Sequence, residues 1–319
     1  MPTISRGMHY DISGADESMV EDDYTREDVA CNICGGIDEE FLFYTPERIV
    51  KCKKCGLIYN NPRLDAESLA KMYTREYFVI DDKDYGVDYK AYANYIGDED
   101  VIVRSMLRRM GKVEKYAASK GAVLDVGCAT GFSLVAAQKL GWEASGLEYS
   151  DFCVNYARSR GLNVEQGSLD TYRGADETFD AITMWDYLEH SPDPRKDLTR
   201  CRNLLKKGGV LVLSIPNVDS WSFPVFKQKW IGFKNIEHFY YYSRNTIAQI
   251  AELAGLSMVD SFYHGKYLSL SFFLSRVQYY VPQNPLLKLI EKCANLEFSK
   301  KVSFYFNPFD ILNVVLQKK

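Results

Sequence analysis

The sequence contains no apolar run approaching the roughly 18–20 residues needed to cross a bilayer. Its N-terminus also lacks the basic-then-apolar pattern of a secretion signal, so we expect a cytoplasmic protein without a membrane span. There is no basic excess either, because 39 Lys and Arg face 43 Asp and Glu, for a formal charge of −4. Neutralisation of phosphates drives nucleic-acid binding, so this balance disfavours a nucleic-acid partner.

The N-terminal third divides into three stretches of different composition. Residues 1–29 are rich in carboxylates and poor in large apolar side chains, so we predict a mobile acidic tail. Residues 30–62 carry two pairs of cysteines. Residues 63–120 contain two helical patterns, at 65–73 and 101–119, and are expected to form a helical cap or linker to the domain that follows.

Apolar runs and helical stretches alternate after residue 120. The runs expected to form buried parallel strands are residues 122–126, 144–147, 163–166, 179–185 and 210–215. Such alternation predicts an α/β fold with a doubly wound, Rossmann-like sheet. We expect this domain to cover residues 121–319, with insertions at 217–242 and 264–308 and a last strand at 311–317.

A glycine-containing loop follows the first of these strands, in the sequence VLDVGCATGF from Val123 to Phe132. Small residues at 127, 129 and 131 let the backbone approach a ligand, and the next helix offers unpaired N–H groups. Dinucleotide-binding folds use a similar loop. Asp125, however, stands where a pyrophosphate would be repelled, so the loop favours a cationic, zwitterionic ligand.

VLDVGCATG resembles the first motif of class I methyltransferases, in which an acid precedes glycines at alternate positions. Ala129 stands where that family has its middle glycine. The resemblance covers roughly residues 100–265 and implies that Asp125 to Gly131 surrounds the methionine part of S-adenosylmethionine.

Three further motifs follow in the order expected for this family. Glu148, seventeen residues after Gly131, would accept hydrogen bonds from the ribose hydroxyls. After the third strand either Ser168 or Asp170 would contact the adenine, and FDAITMWDYLEHSPDP resembles the stretch that closes over the cofactor. The residues expected to bind the cofactor are Asp125, Gly127, Cys128, Ala129, Gly131, Phe132, Glu148, Tyr149, Ser168, Leu169, Trp185 and Asp186.

The paired cysteines are typical of a zinc site. Two C-x-x-C pairs with seventeen residues between them match the spacing of about 15–20 residues that closes a tetrahedral thiolate site. A glycine follows each pair, which permits a tight turn that directs N–H groups at sulfur. Because protein fills all four positions, we expect structural Zn²⁺ bound by Cys31, Cys34, Cys52 and Cys55.

The segment Cys55 to Arg63, CGLIYNNPR, resembles bacterial methyltransferases that carry a zinc module before the catalytic domain. They include C-methyltransferases acting on nucleotide-linked sugars. In those proteins the N-terminal part lies over the mouth of the active site. The resemblance implies that tyrosines such as Tyr77, Tyr89 and Tyr92 could reach the cofactor or the substrate, although packing roles remain the alternative.

Histidine is scarce, with four residues in the chain, so few groups titrate near neutral pH. His9 and His264 are set aside by their positions. His190 follows the fourth strand, where the family's histidine suggests an architectural or cofactor-side role. His238 follows Glu237, and the sugar C-methyltransferases have a matching pair with the histidine implicated as base. Related O-methyltransferases also have histidine here, so a structural role for His238 stays open; Glu237 would orient it or bind substrate.

These features predict an S-adenosylmethionine-dependent methyltransferase of a small metabolite, with a sugar or sugar nucleotide as the leading substrate class. One alternative is an RNA methyltransferase with a zinc ribbon. Another is a non-catalytic regulator that retains the fold. The methyl-acceptor atom and the oligomeric state stay open, and so does the role of the aromatic segment 221–233, as substrate cover, packed lid or dimer contact.

Overall fold

The computed structural model describes the chain over residues 5–10, 19–45, 47–72, 96–230, 232–233, 237–274 and 302–318. Tyr77, Tyr89 and Tyr92, which the sequence suggested as active-site contacts, lie outside the described residues. Among the helices that are described, none is both long and apolar enough to span a membrane.

Short antiparallel strands build two small sheets in the N-terminal part. They are β1 (Ser5–Tyr10), β2 (Met19–Glu27), β3 (Glu39–Tyr44), β4 (Arg48–Cys52), β5 (Ile58–Asn60) and β6 (Arg63–Leu64), followed by helix α1 (Ala66–Met72). Strands β1, β2 and β6 form one sheet. The other joins β3, β4 and β5 to β12 (Tyr240–Tyr241), a strand contributed from far along the chain.

The end of the predicted acidic tail, residues 1–29, contacts the rest of the N-terminal part. Strand β2 pairs with β6 through Arg26 and Glu27. The buried guanidinium of Arg26 donates to both carboxylate oxygens of Glu47, at 3.1 and 2.8 Å. A fork of this kind fixes the geometry of both side chains. Strand pairing and a buried ion pair hold the residues around Arg26. The prediction for residues 1–29 considered only their apolar content, which does not reveal such contacts.

The central sheet has the strand order β13–β16–β11–β10–β7–β8–β9. Its bounds are β7 (Ala122–Val126), β8 (Glu143–Glu148), β9 (Val164–Gln166), β10 (Phe179–Trp185), β11 (Leu205–Pro216), β13 (Leu256–Tyr263) and β16 (Ile311–Lys318). Neighbours from β11 to β9 are parallel, while β16 runs antiparallel to β11 and β13. The predicted doubly wound, Rossmann-like fold is confirmed, and two strands have the predicted bounds.

Helices connect these strands and cover the sheet. They are α2 (Glu99–Val113), α3 (Phe132–Lys139), α4 (Asp151–Ser159), α5 (Pro194–Leu204), α6 (Ser222–Phe226) and α7 (Arg244–Leu253). Successive strand residues face opposite sides, so Val123 and Leu124 belong to different hydrophobic clusters. Helix α2 ends six residues before its predicted end at 119. Further along, Ser119 and the Ala122 N–H both donate to Asp180 where the chain enters β7.

The described part of the predicted insertion at 264–308 contains two paired strands, β14 (Lys266–Ser269) and β15 (Ser303–Phe306). Helix α2 packs against this pair. The guanidinium of Arg104 lies 3.8 Å from the centre of the Tyr267 ring, and that of Arg108 lies 4.5 Å from Tyr305. These cation–π contacts hold the strand pair beside the carboxyl edge of the central sheet.

The carboxyl ends of β7, β8, β10 and β11 meet at one edge of the sheet. Register places Thr183 opposite Asp125, and Ser214 opposite Trp185. In open α/β sheets ligands bind outside this edge, where the strand order reverses. Here the reversal lies between β7 and β10, next to the predicted cofactor residues.

Candidate active site

The glycine loop after β7 has positive φ at alternate residues: +72° at Gly127, +47° at Ala129 and +83° at Gly131. A Cβ added at Gly127 would lie 2.7 Å from Cδ2 of Tyr187, so both the backbone and the space around it require glycine there. Ala129 adopts the left-handed conformation although it carries a Cβ, at a cost of roughly 1–2 kcal/mol. The loop therefore keeps its shape where the family's middle glycine is replaced.

Asp125 is fully buried at the end of β7. Thr183 Oγ1 donates to its Oδ1 at 2.6 Å, and the hydroxyl of Ser133 bonds to its Oδ2. Burial raises the pKa of Asp125 to about 7, since the hydroxyl bonds and the charge of Arg109 offset only part of the lost hydration. A cationic ligand beside this carboxyl would favour its ionised form.

Glu148 ends β8 and closes the loop from the other side. Its Oε2 accepts the N–H of Ala129 and its Oε1 accepts the N–H of Ser150, both at 2.8 Å. Burial raises its pKa, and these backbone bonds oppose the shift. Each carboxylate oxygen keeps a second lone pair, so the fixed carboxylate can still accept bonds from a ligand's hydroxyls.

Arg109 on α2 belongs to this site, although sequence reasoning did not select it. It is 3% exposed, and its guanidinium lies 5.3 Å from the centre of the Trp185 ring. Its Nη1 is 3.4 Å from Ser214 Oγ, and its Nε has no hydrogen-bond partner among the described residues. The sequence signal that could have identified it is its spacing: Arg109 lies four residues from each of the buried positions 105 and 113, on the same face of the amphipathic helix.

Three of the predicted cofactor residues turn their side chains into the protein. Cys128 and Leu169 belong to the hydrophobic core, and Phe132 packs edge-on against Tyr156, with ring centres 6.4 Å apart. Burial also raises the pKa of the Cys128 thiol. Only the backbone of these residues remains for a ligand at the loop.

The remaining predicted cofactor residues lie around the edge of the sheet. Tyr149 is exposed, and the N–H of Ser168 donates to Thr171 Oγ1 at 2.9 Å. Asp170, the alternative to Ser168, forms an exposed ion pair with Lys196 at 2.7 Å. Asp186 has a φ of +53° and its Oδ1 accepts Ser214 Oγ at 2.7 Å, which holds it at the end of β10.

The four predicted metal-binding cysteines come together in the N-terminal part. Their Sγ atoms lie within 4.8 Å of one another, including 3.4 Å between Cys31 and Cys55 and 3.5 Å between Cys34 and Cys52. Although burial opposes ionisation, N–H groups of Cys55 and Lys54 lower the pKa of Cys52 to about 7. Four sulfurs 2.3 Å from a common ion would lie roughly 3.8 Å apart, so the cluster has the dimensions of a tetrahedral thiolate site.

Backbone pairing joins this cysteine-bearing part to the active-site edge. Strand β5 pairs with β12, and the Asn60 N–H donates to the Phe239 carbonyl at 2.9 Å. The Phe239 N–H in turn donates to the carbonyl of Glu189 at 2.8 Å. Arg63 bonds to the Pro192 carbonyl at 2.6 Å and to Tyr240 Oη at 2.9 Å. The module therefore holds the loop that carries His238.

Two histidines and two glutamates meet beneath this loop, and we call them the glutamate–histidine cluster: Glu189, His190, Glu237 and His238. The two imidazole rings are perpendicular, with centres 4.5 Å apart. His190 Nδ1 is 4.0 Å from Glu237 Oε2, and His238 Nε2 is 4.0 Å from Glu189 Oε1. Glu237 thus lies close to His190, and Glu189 lies close to His238. The expectation that Glu237 orients His238 or binds substrate stays a prediction.

The aromatic segment 221–233 packs mainly against the N-terminal module. Trp230 and Phe233 are buried in a cluster with Ile49 and Ile58. Trp221 is 58% exposed, and its Nε1 donates to the Pro308 carbonyl at 2.8 Å. The described part of the segment thus has the contacts of a packed lid, one of the three roles left open by the sequence.

The raised pKa of Asp125 makes a testable prediction about stability without ligand. The folded state binds the proton up to about pH 7, whereas the unfolded carboxyl releases it near 3.8, so wild-type stability falls as pH rises between these values. Asp125→Asn removes this loss. Between pH 5 and 8 the free energy of unfolding of the variant should rise relative to that of wild type by on the order of 3 kcal/mol, at 1.36 kcal/mol per pKa unit. Denaturant titration measures this difference.

Asp180→Asn is the matched control. Burial of Asp180 is outweighed by bonds from Lys206 and the Ala122 N–H, which lower its pKa. Its stabilisation is therefore fully present above the unfolded pKa of 3.8 and is lost only at more acidic pH. The difference between this variant and wild type should stay flat from pH 5 to 8, and a flat difference for Asp125→Asn as well would contradict the prediction.

Comparison with known families places the central domain. A family model described as a methyltransferase domain matches residues 99–261, which is 163 of the 319 residues. The matched segment contains α2, the glycine loop, Glu148 and Trp185, but not the cysteine module. It thus covers the elements that build the predicted cofactor site.

Curated relatives and solved structures carry similar names. A ubiquinone biosynthesis O-methyltransferase of Pasteurella multocida is 32% identical over 127 residues, 34% of this chain and 52% of that protein. One from Xanthomonas campestris is 35% identical over 117 residues, 34% of this chain and 49% of that protein. The chain spans about half the length of the curated relatives it matches.

An S-adenosylmethionine-dependent methyltransferase structure from Archaeoglobus fulgidus is 18% identical, with a TM-score of 0.49, covering 71% of this chain and all (100%) of that one. The family assignment itself rests on the family model, which matches the parallel strands β7 to β11 of the central sheet and the glycine loop. The chain belongs to the methyltransferase-domain family, and its α/β domain is a class I S-adenosylmethionine-dependent methyltransferase domain.

Proposed function

We propose that the chain transfers the methyl group of S-adenosylmethionine to a small-molecule acceptor. The observation that carries this proposal is the pair of buried carboxylates, Asp125 and Glu148, on either side of the left-handed loop. Two buried negative charges require a cation or strong hydrogen-bond donors. A sulfonium ligand with an amino group and a ribose supplies all of these.

The residues present fit the parts of this cofactor. Glu148 would accept the ribose hydroxyls with its remaining lone pairs, and the loop N–H groups would line the methionine part. Arg109 would bind the methionine carboxylate, because its buried guanidinium lies beside Trp185 with donor capacity left over. Asp125 would stabilise the positive charges of the ligand. When bound, the cofactor supplies an electrophilic methyl group, and the protein's task is alignment and proton removal.

The acceptor would bind where the glutamate–histidine cluster meets the edge of the sheet. His190 is the more exposed of the two rings, with 15% of its side chain accessible, whereas the His238 side chain is 1% accessible. We therefore assign the side facing the acceptor to His190 and Glu237, and a supporting place to His238. Proton removal from the acceptor is assigned to this cluster.

Two acceptor classes are supported by different observations. The resemblance of CGLIYNNPR and of the Glu237–His238 sequence to sugar C-methyltransferases supports a sugar or sugar nucleotide. The names of the curated relatives support an oxygen acceptor. We take a sugar nucleotide as the first candidate, because the module that carries CGLIYNNPR lies against the cluster.

The four cysteines are proposed to hold one structural Zn²⁺. This ion would bind thiolates, release their protons and stabilise the small sheet of β3, β4, β5 and β12. Because β12 follows His238 directly, the metal would act on the site through structure alone.

Replacement of Glu148 tests the proposed function. Glu148→Ala should weaken S-adenosylmethionine binding by at least roughly 100-fold, since two charge-assisted hydrogen bonds are worth about 1.5–3 kcal/mol each. Calorimetry measures the affinity, and circular dichroism checks that the fold is retained. Glu143→Ala is the control, because Glu143 begins the same strand but is exposed. Unchanged affinity of Glu148→Ala would refute the cofactor assignment.

A panel of acceptors tests the reaction. With labelled S-adenosylmethionine, we expect methyl transfer to a nucleotide-linked keto sugar, and NMR of the product identifies the methylated atom. His190→Gln should lower kcat at least roughly 100-fold while cofactor affinity stays at the wild-type value, since proton removal contributes about 10²–10⁴-fold. His264→Gln, a buried histidine outside the cluster, is the control. Transfer only to hydroxylated aromatic compounds would instead favour O-methylation.

Substituted Co²⁺ tests the zinc proposal. The full chain loaded with Co²⁺ should show intense thiolate-to-cobalt absorption in the near ultraviolet, and Cys34→Ser should reduce it and lower the thermal midpoint. Cys201→Ala removes a buried thiol outside the cluster and should leave the absorption unchanged. If Cys34→Ser retains the wild-type spectrum, the cysteines do not form the site.

A further inference from the structure

Three members of the glutamate–histidine cluster have the arrangement of metal ligands. Each of Glu189, His190 and His238 offers one ligand atom, and these atoms lie within 4.8 Å of one another. Glu189 and His238 are both 1% exposed, and His190 lies at the boundary of the interior. None of the three belongs to the cysteine cluster, which is built from the turn before β3, the end of β4 and the turn after β4.

The orientation of His238 is set by a hydrogen bond on its far side. Its Nδ1 lies 2.9 Å from the carbonyl oxygen of Gly232. A carbonyl only accepts, so Nδ1 carries the proton, and in the neutral ring the lone pair is then on Nε2. This is the way metal-binding histidines are usually held, with the second nitrogen bonded to a carbonyl or a carboxylate.

His238 Nε2 lies near a second electron-pair donor. Glu189 Oε1 lies 4.0 Å away. A nitrogen and an oxygen bound tetrahedrally to one Zn²⁺ lie roughly 3.4 Å apart, so a closure of about 0.6 Å would bring both into bonding range. The backbone of Glu189 is fixed by the bond from the Phe239 N–H, so its carboxylate starts from a defined position.

His190 and Glu237 form the other side of the cluster. Glu237 Oε2 lies 4.0 Å from His190 Nδ1. In many metal sites a carboxylate faces a ligating imidazole in this manner and sets its orientation. Two imidazoles and one carboxylate form a ligand set used for Zn²⁺ and for non-haem Fe²⁺.

We propose that Glu189, His190 and His238 form a second metal site, for a divalent transition-metal cation, distinct from the four-cysteine site. With three protein ligands, the cation keeps open coordination positions, unlike a site closed by four thiolates. The ligand set suits Zn²⁺, Fe²⁺ or Co²⁺ better than Ca²⁺ or Mg²⁺, which prefer oxygen.

The use of this site rests on the proposed function, whereas its existence does not. An acceptor hydroxyl near a divalent cation loses its proton more readily. In the balanced step Glu237 would take a proton from the acceptor, either from its hydroxyl or from the carbon next to a keto group that the cation polarises. The deprotonated atom would form a bond to the methyl carbon, and the sulfur–methyl bond would break to leave a neutral thioether. Glu237 is the one carboxylate of the cluster that is not a ligand.

Metal analysis of the full chain tests the proposal. Protein purified after saturation with Co²⁺ and exhaustive dialysis should contain two equivalents per chain, measured by plasma mass spectrometry. The first should give thiolate-to-cobalt absorption, and the second should give only weak visible bands, because nitrogen and oxygen ligands lack that charge transfer. Glu189→Gln and His190→Gln should each lower the content from two equivalents to one and keep the thiolate absorption.

Two controls separate the possible results. His264→Gln should keep two equivalents. If Glu189→Gln fails to fold, His190→Gln still tests the site, because His190 is the more accessible ligand. A wild-type content of one equivalent with only the thiolate spectrum would overturn the second site, as would two equivalents in both cluster variants. Cofactor binding by calorimetry is measured on the same samples, so loss of the second metal is distinguished from failure of the proposed function.

Discussion

The constraint on which this site depends is the burial of negative charge at the carboxyl edge of the parallel strands of the central sheet. Asp125 and Glu148 lie at the ends of β7 and β8, Glu189 follows β10, and each is less than one-tenth exposed. Hydration lost on burial has to be replaced by hydrogen bonds or by cations. The backbone N–H groups of Ala129 and Ser150 supply part of this for Glu148, and hydroxyls do so for Asp125. What remains is an edge suited to positively charged ligands, with Arg109 as the group for their anionic end.

Local patterns in the sequence were sufficient to predict the central sheet and the position of the glycine loop. Alternating apolar runs predicted the strands, and the acid followed by small residues predicted a loop that lets the backbone approach a ligand, because both depend on residues close together in the chain. The cysteine spacing was equally local. None of these signals requires knowledge of the tertiary fold. The sheet is confirmed and the four cysteines lie together, while the ligands of the loop and of the cysteines stay predictions.

The features that the sequence did not predict depend on contacts between distant residues. Nothing near Glu237 indicates that it faces His190 while Glu189 faces His238, since that follows from how a 3-10 turn meets a loop fifty residues later in the chain. Arg109 resembles any arginine of an amphipathic helix until the buried face is known. The ordered end of the N-terminal segment depends on Glu47, twenty-one residues away from Arg26. Partner choice of this kind is a tertiary property.

The strand pairing of β5 with β12 has a consequence for how such proteins diversify. An N-terminal module that is joined to its enzyme only by a linker can be exchanged as a unit. Here strands of the module and of the catalytic domain pair in a single sheet. Neither half has an intact hydrogen-bonded edge without the other. Changes on one side must then be matched by changes on the other, so selectivity in this lineage would evolve by joint remodelling of two chain regions rather than by shuffling.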